Sequence, residues 1–193
     1  MSRRTTIVSK PPRADAQRNY RRLVEVAAKF FTEKGPEAPM EEVARRARVG
    51  IGTLYRHFPT RYDLLETVYA KQIEALIGRA QELKDSLPPG PALFAWLQAE
   101  AEHMMTYRAL KVCLQSRPDG TKFGANWKDR LIAAGSELLE AAEKAGAVRK
   151  GLDGNDLLHL VHGITLAAEK APDSARQAKL LIGVMTDGLR SAT

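Results

Sequence analysis

Apolar residues recur along this chain at three- and four-residue intervals, and alternating runs of β-branched residues are absent. That pattern predicts helices and no sheet. Leu23, Val24, Ala27, Phe30 and Phe31 make one stripe, which predicts a first helix from about Asp15 to Lys34. Gly35-Pro36 stops it, because glycine can take the cap conformation and proline cannot continue the helix. A short helix follows over about 39–47, with Val43, Ala44 and Ala47 inward. Pro39 suits its first turn, where a missing N–H costs nothing. Arg48-Val49-Gly50 is a tight connection to a second short helix over 51–58, "IGTLYRHF", which Pro59-Thr60 ends. Thr60 can cap a long helix reaching about Leu83, on which Leu65, Tyr69, Ile73, Ile77 and Ala80 recur. After "DSLPPGPA", the clearest linker, helices are predicted over about 91–115, 126–145, 154–171 and 174–190. The chain therefore reads as all-α, with three helices of an N-terminal unit, one long connecting helix and a larger helical bundle.

Charge sharpens this division. Residues 1–62 hold 14 Lys and Arg against 6 Asp and Glu, whereas residues 63–193 hold 16 against 17. All of the chain's excess of +7 lies in the first third. Such a block suits an anionic partner, most commonly nucleic acid, or else a solvated basic surface; charge does not separate the two. The expected organisation is a basic arm over 1–14, a first helical domain over 15–62 and a second domain over 63–193. No apolar run is long enough to span a bilayer. The N-terminus has no apolar segment of the kind that secretion requires. With Cys113 as the one cysteine, no internal disulfide can form. The chain is expected in the cytoplasm, away from membranes.

Two short helices joined by a three- or four-residue turn, in the most basic third of the chain, read as a helix-turn-helix at about 39–58. In such a motif the second helix enters the major groove and the first braces it. Leu54 and Phe58, four apart, would anchor the second helix, leaving Thr53, Tyr55, Arg56 and His57 to project. An ordinary connector within an α-bundle would show the same spacing.

The wording of these segments goes further. "LVEVAAKFFTEKG" followed by "MEEVARRARVGIGTLYRHFPTRYDLLETVY" resembles the N-terminal domain of the tetracycline-repressor (TetR) family of bacterial transcription regulators, over about residues 15–75. The resemblance implies a homodimer on palindromic double-stranded operator DNA, a small-molecule effector in the C-terminal domain, and release of DNA when the effector binds. It implies that Thr53 and Tyr55 meet DNA, Tyr55 chiefly at phosphate, with His57 beside the backbone. Arg61 stands where the family commonly has a phosphate-holding lysine. Arg56 is given a phosphate or base-edge role, and Gly50, Thr53 and Arg48 a part in base discrimination. Arg18 and Tyr20 would add phosphate or minor-groove contacts. The sequence departs from the family pattern in lacking Ser or Thr ahead of the second helix, in carrying Arg48 for the usual turn glycine, and in carrying Gly50 for a common serine. Arg48 in a left-handed conformation would cost about 1 kcal/mol.

The last two helices carry more apolar residues than one core face needs, which predicts a dimer interface involving Leu157, Val161, Ile164, Leu181, Met185 and Leu189; packing within the monomer is the other reading. Trp96, His103, Met104, Tyr107, Phe123, Trp127 and His162 together make a candidate effector pocket, although each taken singly suits plain core. His159 is assigned to the dimer helices. No metal site is expected from His103, His159 and His162, since no cysteine or carboxylate cluster completes one. Cys113 is expected to be an inert buried thiol. No cofactor is implied, and no nucleophile–base pair or phosphate loop points to an enzyme. A third reading makes the bundle a protein-binding module with no small ligand. Operator, effector and regulated genes are not legible.

Overall fold

The computed structural model describes residues 13–118 and 125–191. Within them lie α1 (Arg13–Lys34), α2 (Met40–Arg46), α3 (Ile51–His57), α4 (Arg61–Ser86), α5 (Pro89–Gln115), α6 (Ala125–Lys144), α7 (Gly154–Ala168) and α8 (Ser174–Leu189). Each begins and ends within a few residues of the sequence expectation. They form two compact units that divide inside α4, between Val68 and Tyr69 rather than after Tyr62.

The first unit is built by α1, α2, α3 and the start of α4. Leu23, Val24, Ala27, Phe30 and Phe31 of α1 are buried, as are Val43, Ala44 and Ala47 from α2 and its cap. Gly35 takes φ +85°, and its N–H donates to the Phe31 carbonyl at 2.9 Å, closing α1. Arg46 of α2 lies over the Phe30 ring, 4.2 Å from its centre, and pairs with Glu33 at 3.5 Å, so the two helices are held by packing and charge together. Thr60 and Asp63 cap α4 reciprocally. The Thr60 N–H donates to Asp63 Oδ2 at 2.8 Å and the Asp63 N–H to Thr60 Oγ1 at 3.2 Å.

In the second unit α5 packs against α6, α7 and α8, and α7 packs against α6 and α8. Ile73, Leu76, Ala80 and Leu83 of α4 are buried. Trp96 of α5 is fully buried, and its indole N–H donates to the Leu76 carbonyl at 3.1 Å. Gly135 of α6 makes room for that ring: a Cβ there would stand 2.9 Å from it. The stretch "DSLPPGPA" is much less of a linker than its prolines predict. Only Leu87 and Pro88 lie between α4 and α5, because Pro89 sits in the first turn of α5 where it needs no N–H. Asp153 and Asp156 form a capping box on α7, and Asp173 caps α8. Among the described residues no helix is long and apolar enough to cross a membrane.

Candidate nucleic-acid interface and effector cleft

Leu54 is fully buried and Phe58 nearly so, which fixes one face of α3 on its own unit. The remaining surface of α3 carries Ile51, Tyr55 and Arg56, all exposed, with Tyr55 at 42 %. Thr53 and His57 are half-buried. Arg56 folds back along α3: its Nη2 donates to Thr53 Oγ1 at 2.7 Å and its Nε to the Gly52 carbonyl at 3.3 Å. The two polar heads therefore hydrogen-bond to each other. The far end of α3 is tied to α1 through rings. Tyr20 stacks on Phe58 with centres 5.2 Å apart and meets His57 edge-on at 5.9 Å. Arg18, two residues earlier, pairs with Asp15 and is exposed.

The turn before α3 is a Schellman motif. The Val49 N–H donates to the Ala44 carbonyl and the Arg48 N–H to the Arg45 carbonyl, at 3.0 and 3.1 Å. Arg48 has φ +53°, the one described non-glycine residue in the left-handed region, and its side chain is exposed. Gly50 needs no such freedom, since its φ of −61° is open to any residue, and a Cβ there would meet nothing within 4 Å. Neither α2 nor α3 has a side-chain cap at its N-terminus. On α2, Glu42 takes both Arg45 and Arg46. Hydrogen bonds from Arg45 first and Arg46 next pull its carboxyl down to about 2, so it stays ionised and neutralises part of the basic surface.

Inside the second unit lies a cleft of about 430 Å³. Ile73, Met104, Trp127, Leu131 and Leu158 supply its apolar walls, and Tyr69, Glu100, Lys111, Gln115, Lys128, Asn155, His159 and His162 its polar groups. Glu100 of α5 is 4 % exposed and its Oε2 has no hydrogen-bond partner among the described residues. His103 Nδ1 stands 3.8 Å from that oxygen, too far for a hydrogen bond, and neither ring nitrogen is bonded there. Burial pushes the Glu100 carboxyl up to about 8 and the His103 imidazole down to about 4, so near neutral pH the pair is a carboxylic acid beside a neutral ring. Burial also pushes the Tyr69 phenol up. Lys111 and Lys128 make no ion pair or hydrogen bond among the described residues. Burial first, then the Lys111, His159 and Arg108 charges, lowers His162.

A profile described as bacterial regulatory proteins, tetR family, matches residues 23–68. A second, the C-terminal domain of SbtR-like transcriptional regulators, matches residues 88–191, more than half of the chain. The chain belongs to the TetR family. A TetR transcriptional regulator from Streptomyces coelicolor is 30 % identical, with a TM-score of 0.77 over 90 % of this chain and 99 % of that one. A TetR regulatory protein from Mycobacterium vanbaalenii is 32 % identical, with a TM-score of 0.68 over 93 % and 99 %. An HTH-type transcriptional regulator of Staphylococcus aureus strain USA300 is 28 % identical over 116 residues, which is 58 % of this chain. The chain spans 61 % of that relative's length. These are DNA-binding transcription regulators, and the TetR family is not a family of enzymes.

Several residues singled out on sequence grounds stand elsewhere in the TetR fold. Arg61 is half-buried, and its Nη1 donates to the Pro36 and Ala38 carbonyls at 2.8 and 2.5 Å. That nitrogen clamps the loop ahead of α2. Trp96 is core, not pocket. His103 and Tyr107 lie beside each other, ring centres 5.2 Å apart, and do not line the cleft. Met104, Trp127 and His162 do line it, and so does His159, which the sequence pattern had assigned to the dimer helices. Phe123 lies outside the described residues, as do residues 1–12 of the arm. Leu157, Val161 and Leu189 are buried inside their own subunit, and Ile164, Leu181 and Met185 are half-buried. The large apolar side chains left exposed on α7 and α8 are Leu160, Leu166, Leu180 and Val184. Cys113 is half-buried. Among the described residues no three His, Cys, Asp or Glu gather as a metal site. Sequence reasoning missed Glu100, because a single glutamate on a helix carries no sign of whether it is buried.

Proposed function

We propose that this TetR-family chain is an effector-released repressor in the cytoplasm that binds a palindromic operator as a homodimer. The observation that carries the reading is the face of α3. Tyr55 and Arg56 are exposed on a helix anchored by buried Leu54 and Phe58, and exposed Arg48 precedes it. That is the arrangement a major-groove helix needs, with base edges reached from α3 and phosphates from its flanks. The excess positive charge of the first 62 residues supplies the sequence-independent attraction.

Dimerisation is supported by Leu160, Leu166, Leu180 and Val184, which are 42–63 % exposed on two helices that pack together. A second copy of the same pair of helices would bury them isologously, and a twofold protein suits a twofold site. Effector control is supported by the cleft and by α4, an unbroken helix whose Tyr69 and Ile73 line the cleft and whose first turn belongs to the DNA-binding unit. An effector preferring the DNA-incompetent form a hundredfold supplies about 2.7 kcal/mol of coupling.

Selection of bound duplexes from a random pool by the purified protein tests the proposal and yields the operator at the same time. Enrichment of an inverted repeat is expected. A pool that stays random while still binding would leave only a sticky basic surface.

A further inference from the structure

The cleft carries an imbalance that points to the charge of its ligand. Lys111 is half-buried on its wall and Lys128, also in the lining, is exposed; among the described residues neither has an ion-pair partner. The one carboxyl in the described lining is Glu100; burial raises it to about 8 against the opposing pull of the Lys111 charge, so near neutral pH it offers Lys111 little negative charge. A lysine ammonium held in a partly dry wall without an anion is a cost that a ligand's acid group would remove, and a charge-assisted hydrogen bond there is about twice as strong as a neutral one. A cationic ligand would instead have to sit against the Lys111 and Lys128 ammonium groups. The volume suits a small molecule with an apolar body.

We propose that the cleft binds a small amphipathic organic acid, its anionic group on Lys111, its aromatic or alkyl body against Trp127, Met104 and Leu131, and its second polar atom on the carboxyl of Glu100. This rests on the effector-site reading given above and narrows it to one ligand class. As an acid, the Glu100 carboxyl on the cleft wall has a proton to donate to an oxygen of the ligand.

Three probes of matched shape test it on the full-length protein without DNA: 4-phenylbutyrate, 4-phenylbutyramide and 4-phenylbutylamine, titrated while Trp fluorescence and heat are recorded. The acid should bind at least tenfold tighter than the amide or the amine. Lys111→Gln should reduce that preference to less than threefold, and Lys111→Arg should keep it. Equal or tighter binding of the amine or amide, no binding of the acid at millimolar concentration, or an acid preference that survives Lys111→Gln would each overturn the assignment. The regulatory reading fails separately. An acid that binds the cleft yet never weakens DNA binding would break that reading while leaving the charge class intact. An amine that releases DNA would do the opposite.

Discussion

Arg48 and Gly146 occupy the same position of the same motif at the ends of two different helices. Gly146 has φ +68° and donates to the Glu143 carbonyl, and Ala147 donates to the Ala142 carbonyl, just as Arg48 and Val49 close α2. One position uses the residue without a Cβ, and the other strains an arginine into the left-handed region.

Replacing Arg48 with glycine should therefore raise stability by about 0.5–1 kcal/mol in urea unfolding. It should also weaken DNA binding and lower the salt slope by about one phosphate contact, since the exposed guanidinium is removed. Gly146→Arg should destabilise by about 1 kcal/mol. Stability and DNA affinity moving in opposite directions at Arg48 would identify a residue kept for binding at a conformational cost.

Tyr55→Phe removes one exposed hydroxyl and nothing from the core. It should weaken binding to operator and to random duplex by the same factor, about three- to tenfold, because a phosphate contact carries no sequence information. Loss of discrimination at constant non-specific affinity would assign Tyr55 to base edges.

Gly135→Ala should destabilise the second unit by about 1–3 kcal/mol, because the added methyl meets the Trp96 ring at 2.9 Å. Below the unfolding transition the variant should still bind DNA. Thermal unfolding of the full chain reads the first effect and duplex titration the second.

Stability should fall on the alkaline side. The Glu100 carboxyl is raised from 4.5 to about 8 in the folded chain, so its contribution is full below 4.5 and is lost as the pH rises through 8. The His103 imidazole is lowered from 6.5 to about 4, so its contribution is full above 6.5 and is lost as the pH falls through 4. Between 4.5 and 6.5 the two slopes oppose each other. Between about 6.5 and 8 only Glu100 acts, and stability should drop by at most about 1.4 kcal/mol per pH unit. Glu100→Gln should flatten that limb, which urea midpoints across the range would reveal.

Val184→Glu, at a position 63 % exposed in the single chain, should leave the helix content unchanged and shift sedimentation from dimer to monomer. Operator binding should weaken with it, since each half-site would then bind alone. A variant that stays dimeric would move the interface off α7 and α8.

The helices were legible because each signal was local. Stripes such as Leu23-Ala27-Phe31 record a 3.6-residue period, and Gly35-Pro36 and Pro59-Thr60 mark ends through their own backbone chemistry. Which buried face an apolar residue meets is not local. Leu157, Val161 and Leu180 look alike in sequence, yet the first two close the subunit's own core and the third is left at the surface. Trp96 suited a pocket by type, but its indole is claimed by the Leu76 carbonyl and the space over Gly135. Arg61 suited a phosphate, and two loop carbonyls had already taken its Nη1. Long-range partners decided each of these, and one sequence does not print them.

Whether α3 reads a specific duplex is decided by titrating the full-length protein against a selected duplex and its scrambled counterpart between about 50 and 300 mM salt. Two chains, or four, should bind per selected duplex. The affinity advantage over the scrambled duplex should persist as salt rises. Equal affinity for both duplexes with the same salt dependence would contradict a reading helix at α3.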